Sequence, residues 1–214
     1  NDIEAFHSGW LEEMLSHFSD QRVAMVGAKL LWPNGMVQHG GVVLGPAGLA
    51  AHYGNLLHDD DSGHFGRNQL TQQLSAVTAA CLLVRKADWT LVGGLNQTDF
   101  PVAFNDVDFC LKLRALGRRI IWTPFAKLLH LESASRGKED SPQKQARAQR
   151  EMSNLRRRWG ATLLADPSYH PSLNLDTHVQ VFTGYALPPR PRRLRNSQLQ
   201  GIPEQTLAEL KAEG

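Results

Sequence analysis

Two acids separated by a single residue, Asp106 and Asp108, open the stretch NDVDFCLKLRALGRRIIWTP. Val107 between them and Cys110, Leu111 and Leu113 behind them supply apolar positions for a helix, and Gly117 supplies a stop. A helix start carries unsatisfied N–H groups and the positive end of the helix dipole, so capping alone can explain an acid there. The same position also suits a general base. A carboxylate held by helix N–H groups at the mouth of a sheet can accept a proton from a substrate hydroxyl. Spacing leaves both readings open.

Three other groups could do chemistry. NDIE, at the start, brings Asp2 and Glu4 together. These are either exposed acids or oxygen ligands suited to a hard divalent cation, Mg or Mn. In HLESASRG, His130 closes an apolar run and reads as a structural histidine or a metal ligand at a strand end. Arg136 follows in a Ser-rich loop, where a guanidinium can anchor phosphate. HDDDSGH resembles a ligand cluster, but neighbours in one loop rarely converge on one ion, so it reads first as a solvated loop tip.

These residues need elements to place them. SGWLEEMLSHFSD reads as a helix capped by Ser8, with Trp10, Leu11, Met14, Leu15 and Phe18 on one face. VAMVGAKLL suits a buried strand, and the turn signal PNG leads into a second strand, MVQHGGVVLG. Residues 45–66 read as a long lid or binding loop. A strand over 79–84, a short helix and a Gly-Gly stop follow, then the helix of the acid pair. RRIIWTP reads as a strand ended by Pro124, KLLHLESASRG as a last strand, and residues near 142–159 as a basic helix with Pro142 in its first turn. Strands alternating with helices predict an α/β fold, and the PNG hairpin makes its sheet mixed, with flanking helices. Residues 1–184 form the domain, and the Pro/Arg-rich 185–214 form a linker and short terminal helix.

Composition sets the bounds. The 214 residues are 42% hydrophobic and 21% charged, enough for a proper core, and the net charge of +2 gives no ground for nucleic-acid binding. Cys81 and Cys110 lie in apolar runs and read as buried free thiols of a reducing compartment. The sequence has no run of ~18 apolar residues and no signal-peptide pattern at its start.

Taken in order, NDIE, VGAKLLWPNGMVQHGGVVLG, SAVTAACLLVRKADWTLVGGL, VAFNDVDFCLKLRALGRRIIWTPFAKLLHLESASRG and RWG resemble the family-2 glycosyltransferases of GT-A fold. The likeness is to the rhamnosyltransferase-like, O-antigen biosynthesis branch, and it spans about residues 1 to 180. It implies a partial GT-A fold lacking the N-terminal nucleotide-binding half. Asn1 and Asp2 match the last two letters of an Asn-Asn-Asp metal motif, which gives Asp2 and His130 as cation ligands. Asp106 matches the catalytic base, while Asn105 stands where the family more often has Glu. Thr78 and Ala79 match the strand start that lines the donor-sugar pocket. Asn105, Asp108 and Arg136 complete the implied substrate contacts.

The resemblance further implies partners and place: a nucleotide-sugar donor, a glycan acceptor, the rest of its own catalytic domain, and a cytoplasmic setting with peripheral contact at the inner membrane face. The chain alone is expected to be inactive. Two other readings use the basic helix and arm, as a nucleic-acid module or as a scaffold docking on a domain or an anionic membrane. FCLKLRALGRRIIWT imitates a helix-turn-helix, but its β-branched, aromatic second half ending in Pro reads as a strand.

Overall fold

The computed structural model describes residues 3–5, 7–55, 57–131, 141–176 and 181–190. In chain order its strands and helices are β1 (Ile3–Ala5), α1 (Trp10–Ser16), β2 (Val23–Leu31), β3 (Val37–His39), β4 (Val42–Leu44), β5 (Ala50–His52), β6 (Gln72–Leu74), β7 (Leu82–Val84), α2 (Lys86–Leu91), α3 (Asn105–Ala115), β8 (Arg119–His130) and α4 (Pro142–Leu163). The fold is α/β, with a mixed sheet flanked by helices.

Two parallel strands, β2 and β8, form the spine of a six-stranded sheet. Every residue of β2 is buried, as its unbroken apolar run requires. Each spine strand is long enough to take two antiparallel partners. β8 pairs with β6 along Ile120–Trp122 and with β1 along Leu128–His130. β2 pairs with β7 along Met25–Gly27 and with β3 near Leu30. Pro124 does not end β8 as expected. Ala28 faces Thr123 and Lys29 faces Lys127, so Pro124, Phe125 and Ala126 bulge between them. A bulge is where a strand tolerates a residue with no N–H to give.

α1 is capped by Gly9, in a left-handed conformation at φ 84°, and not by the Ser8 side chain. Its apolar face is narrower than predicted: Met14 is buried, while Leu11 and Leu15 are exposed. α4 starts as expected, with Ser141 Oγ accepting the Lys144 N–H at 3.2 Å, and runs past residue 159 to Leu163. It buries Glu151, Leu155, Trp159 and Leu163, one residue per turn along a single stripe. Trp159 and Leu155 join Phe109, Cys110 and Trp122 in the main core. The segment after α3 is strand β8, so no helix-turn-helix forms.

Residues 45–66 are more ordered than a free loop. They contain a 3₁₀ turn at Pro46–Gly48 and strand β5, which pairs with β4. Asp59 pins the segment to the sheet through Lys29 at 2.6 Å and Lys127 at 2.8 Å. Lys29 is buried, and burial lowers its pKa against the pull of Asp59. Asp59 in HDDDSGH is therefore an anchor of the fold, not a solvated tip. The arm expected from 185 begins folded back: Ala186 N–H donates to Ser172 O, and Arg190 donates to His170 and Leu173 carbonyls. Residues 191–214 lie outside the described residues. Cys81 and Cys110 are free thiols. No described helix is long and apolar enough to cross a membrane.

Candidate functional site

Asp106 lies in the first turn of α3, after Phe104, whose φ of 62° bends the chain into the helix. The carboxylate is half-buried and held by two backbone donors, Val107 N–H at 2.8 Å and Ala79 N–H at 3.2 Å. Capping in the usual sense is absent, since Asp106 is inside the helix and not before it.

The donor from Ala79 depends on close packing of the segment that follows β6. Gly27 of β2 lets this segment lie against the sheet: a Cβ there would come within 2.6 Å of the Val77 side chain. Cys110 of α3 packs on the other side, with its Sγ 3.5 Å from Val77 N. Thr78 is thus fixed beside Ala79. Its N–H donates to His39 Nε2 at 3.3 Å, and its Oγ1 accepts from Ala80 N–H. Consecutive N–H groups therefore bind His39 and Asp106.

Around His39 two more histidines gather. The His52 ring packs edge-on to it, with centroids 4.8 Å apart. Gln38 carries the other link, its carbonyl 3.3 Å from His52 Nδ1 and its Oε1 2.6 Å from His130 Nδ1. His39 is fully buried; burial, then His52 and His130, pushes its pKa well below the usual histidine value. Accepting a backbone N–H at Nε2 also requires a neutral ring protonated at Nδ1. Among the described residues that Nδ1 has no hydrogen-bond partner.

The structure therefore gathers Asp106, Thr78, Ala79 and His130 at one end of the sheet, with half-buried Asn105 opening the same turn. It adds His39 and His52, which sequence reading missed. One signal could have found them: VQH, AAH and KLLH, the ends of β3, β5 and β8, each close in histidine.

Asp108 goes elsewhere. It is fully buried, accepts from Trp159 Nε1 at 2.7 Å and pairs with Arg158 Nε at 3.0 Å. Burial pushes its pKa up despite Arg158. The implied substrate contact does not fit this position: the carboxylate fastens α4 to α3 and has no surface to offer a ligand.

Asn1, Asp2 and Arg136 lie outside the described residues. The register places Ile3, the residue after Asp2, directly opposite His130. Gln38 Oε1 can only accept, so His130 donates from Nδ1. A neutral ring then carries its lone pair on Nε2, the form that ligates a cation. His130 alone is not a cation site, and among the described residues no group of three or more His, Cys, Asp or Glu is placed to hold one.

No family model matches the chain, and no solved structure matches it. Two curated proteins are similar. "Uncharacterized protein y4gI" of Sinorhizobium fredii is 48% identical over 177 residues, which are 82% of this chain and 19% of that protein. "O-antigen biosynthesis protein RfbC" of Myxococcus xanthus is 36% identical over 176 residues, 82% of this chain and 13% of that protein. The chain thus spans less than a fifth of either relative, and its similarity to a protein named for O-antigen biosynthesis covers most of its own length.

Proposed function

We propose that this chain is the acceptor-side part of a family-2, GT-A-type glycosyltransferase. The reaction is metal-dependent, inverting transfer of a sugar from a nucleotide-sugar donor to a glycan hydroxyl, in the assembly of surface polysaccharide or O-antigen. The observation that carries the reading is Asp106: a half-buried carboxylate, fixed by two backbone N–H groups, one of them next in the chain to the N–H that binds the buried His39. The similarity to the Myxococcus protein supports the polysaccharide setting.

In this reading the acceptor hydroxyl comes within about 2.6–3.2 Å of an Asp106 oxygen, the reach of a general base. Asp106 takes the proton as the acceptor oxygen attacks the anomeric carbon and the bond to the diphosphate oxygen breaks on the opposite face. One base on one side accounts for inversion; a hydrolase would need a second carboxylate across the sugar. The two N–H donors hold the base in one orientation before the acceptor arrives, and a neutral His39 brings no competing positive charge. Asn105 and Thr78 remain proposed substrate contacts. A divalent cation held by Asp2 and His130, with Arg136 nearby in the sequence, would offset charge on the departing diphosphate.

Because the relatives are several times longer, donor binding is proposed to need sequence beyond these 214 residues. Transfer from nucleotide sugars to a polysaccharide acceptor should be assayed with the longer natural protein and with this chain alone. We expect product of inverted anomeric configuration from the former, abolished by a chelator and restored by Mg or Mn, and none from the latter. Retention of configuration, chelator-resistant transfer or robust turnover by the 214-residue chain would contradict the proposal.

A further inference from the structure

A cleft of about 720 Å³ opens at the other end of α3, walled by that helix, β6, the start of β8 and the end of α4. Four arginines line it: Arg67, Arg114, Arg118 and Arg119. Among the described residues their carboxylate partners are too few. Asp20 is shared by Arg119 at 2.6 Å and Arg22 at 3.0 Å. Asp88 takes Arg118 at 2.8 Å. Asp166 faces Arg67, Arg114 and Arg190. Among the described residues six guanidiniums thus share three carboxylates. Asp166 is also committed elsewhere, accepting from Leu44 N–H, Ser75 Oγ–H and Ser168 N–H at 2.6–2.8 Å.

Cations near a helix C-terminus often serve its carbonyls. Here the hydrogen bonds run elsewhere. Arg114 donates to Ser75 Oγ, Arg118 to the Gln21 carbonyl, and Arg119 to Gln73 Oε1. Arg67 is held over the Phe182 ring, 4.5 Å from its centroid. Among the described residues its buried Nε has no hydrogen-bond partner, and neither has the buried Thr162 Oγ1 in the same cleft. Buried donors without partners are uncommon and call for an acceptor. A ligand with several anionic oxygens supplies it, and a phosphate dianion suits surplus guanidiniums better than a single carboxylate does.

We infer that this cleft binds a phosphate or diphosphate group, with Arg67 and Thr162 donating to its oxygens and Arg114 and Arg118 supplying the surrounding positive charge. The site lies away from Asp106 and does not depend on the transfer reading.

Calorimetric titration of the 214-residue chain with sodium pyrophosphate at constant ionic strength tests it, with vesicles of phosphatidylcholine doped with phosphatidic acid as a second arm. The variants are Arg67→Gln and, as a charge-matched control on α4 outside the cleft, Arg157→Gln; circular dichroism checks that each is folded. Saturable pyrophosphate binding, weakened about tenfold or more by Arg67→Gln and unchanged by Arg157→Gln, is expected from loss of one charge-assisted hydrogen bond. The same pattern seen only with vesicles keeps the site and assigns the phosphate to a lipid headgroup. No saturable binding in either arm, or equal weakening by both variants, overturns the inference.

Discussion

The two ends of α3 differ in chemistry. At its start the Asp106 carboxylate is held by backbone donors, one of them next in the chain to the N–H that binds the buried His39. At its end, among the described residues, arginines outnumber their carboxylates around a cleft. The sign of each end follows the helix dipole, which favours acids at the start and bases at the finish. The dipole does not explain the rest. A second acid, Asp108, lies only two residues beyond Asp106, about 200° around the helix at 3.6 residues per turn. One acid reaches the rim of the sheet and the other is driven into α4. The acid pair at this helix start divides by face: one carboxylate stays half-exposed, and the other becomes packing.

That division can be broken from the buried side first. Asp108→Asn removes the charge of a fully buried carboxylate that pairs with the half-buried Arg158, and removing one partner of a buried pair costs about 3–5 kcal/mol. Urea unfolding should show that loss, with the midpoint lowered and α4 the first region to lose amide protection. A change below 1 kcal/mol would mean that Asp108 does not hold α4.

A smaller effect sharpens the other end. His39 stays neutral because it is buried, so its folded-state pKa lies below the unfolded value of ~6.5. A depressed histidine makes the unfolded state bind more protons. Its contribution is therefore fully present above about pH 6.5 and falls by about 1.4 kcal/mol per pH unit below it. His39→Gln removes that titration, so the variant should show a flatter loss of stability between pH 6.5 and 5 than the wild type. Parallel curves would argue against a neutral, buried His39.

Much of the framework was legible because it is local. β2 is an uninterrupted apolar run, α4 carries its Ser-Pro start, and α3 is closed by Gly117 at φ 76°. Asp106 was legible as a candidate, whereas its hydrogen bond from Ala79 N–H was not. What could not be read depends on contacts distant in sequence. Pro124 stays within β8 because β2 continues alongside on both sides of the bulge. Asp59 anchors its loop because Lys29 and Lys127 come from neighbouring spine strands. His39, His52 and His130 meet only when β3, β5 and β8 end near one another, and Arg67 reaches the α3 arginines only through the packing around β6.

The central claim is that Asp106 is the base. The most direct measurement is the rate of sugar transfer per folded molecule for Asp106→Asn in the longer natural protein, with thermal unfolding recorded on the same samples. Loss of a general base should lower the rate about 10²- to 10⁴-fold, while the half-buried, isosteric change leaves the unfolding temperature close to wild type. Transfer within a fewfold of wild type in a folded Asp106→Asn protein would contradict the assignment.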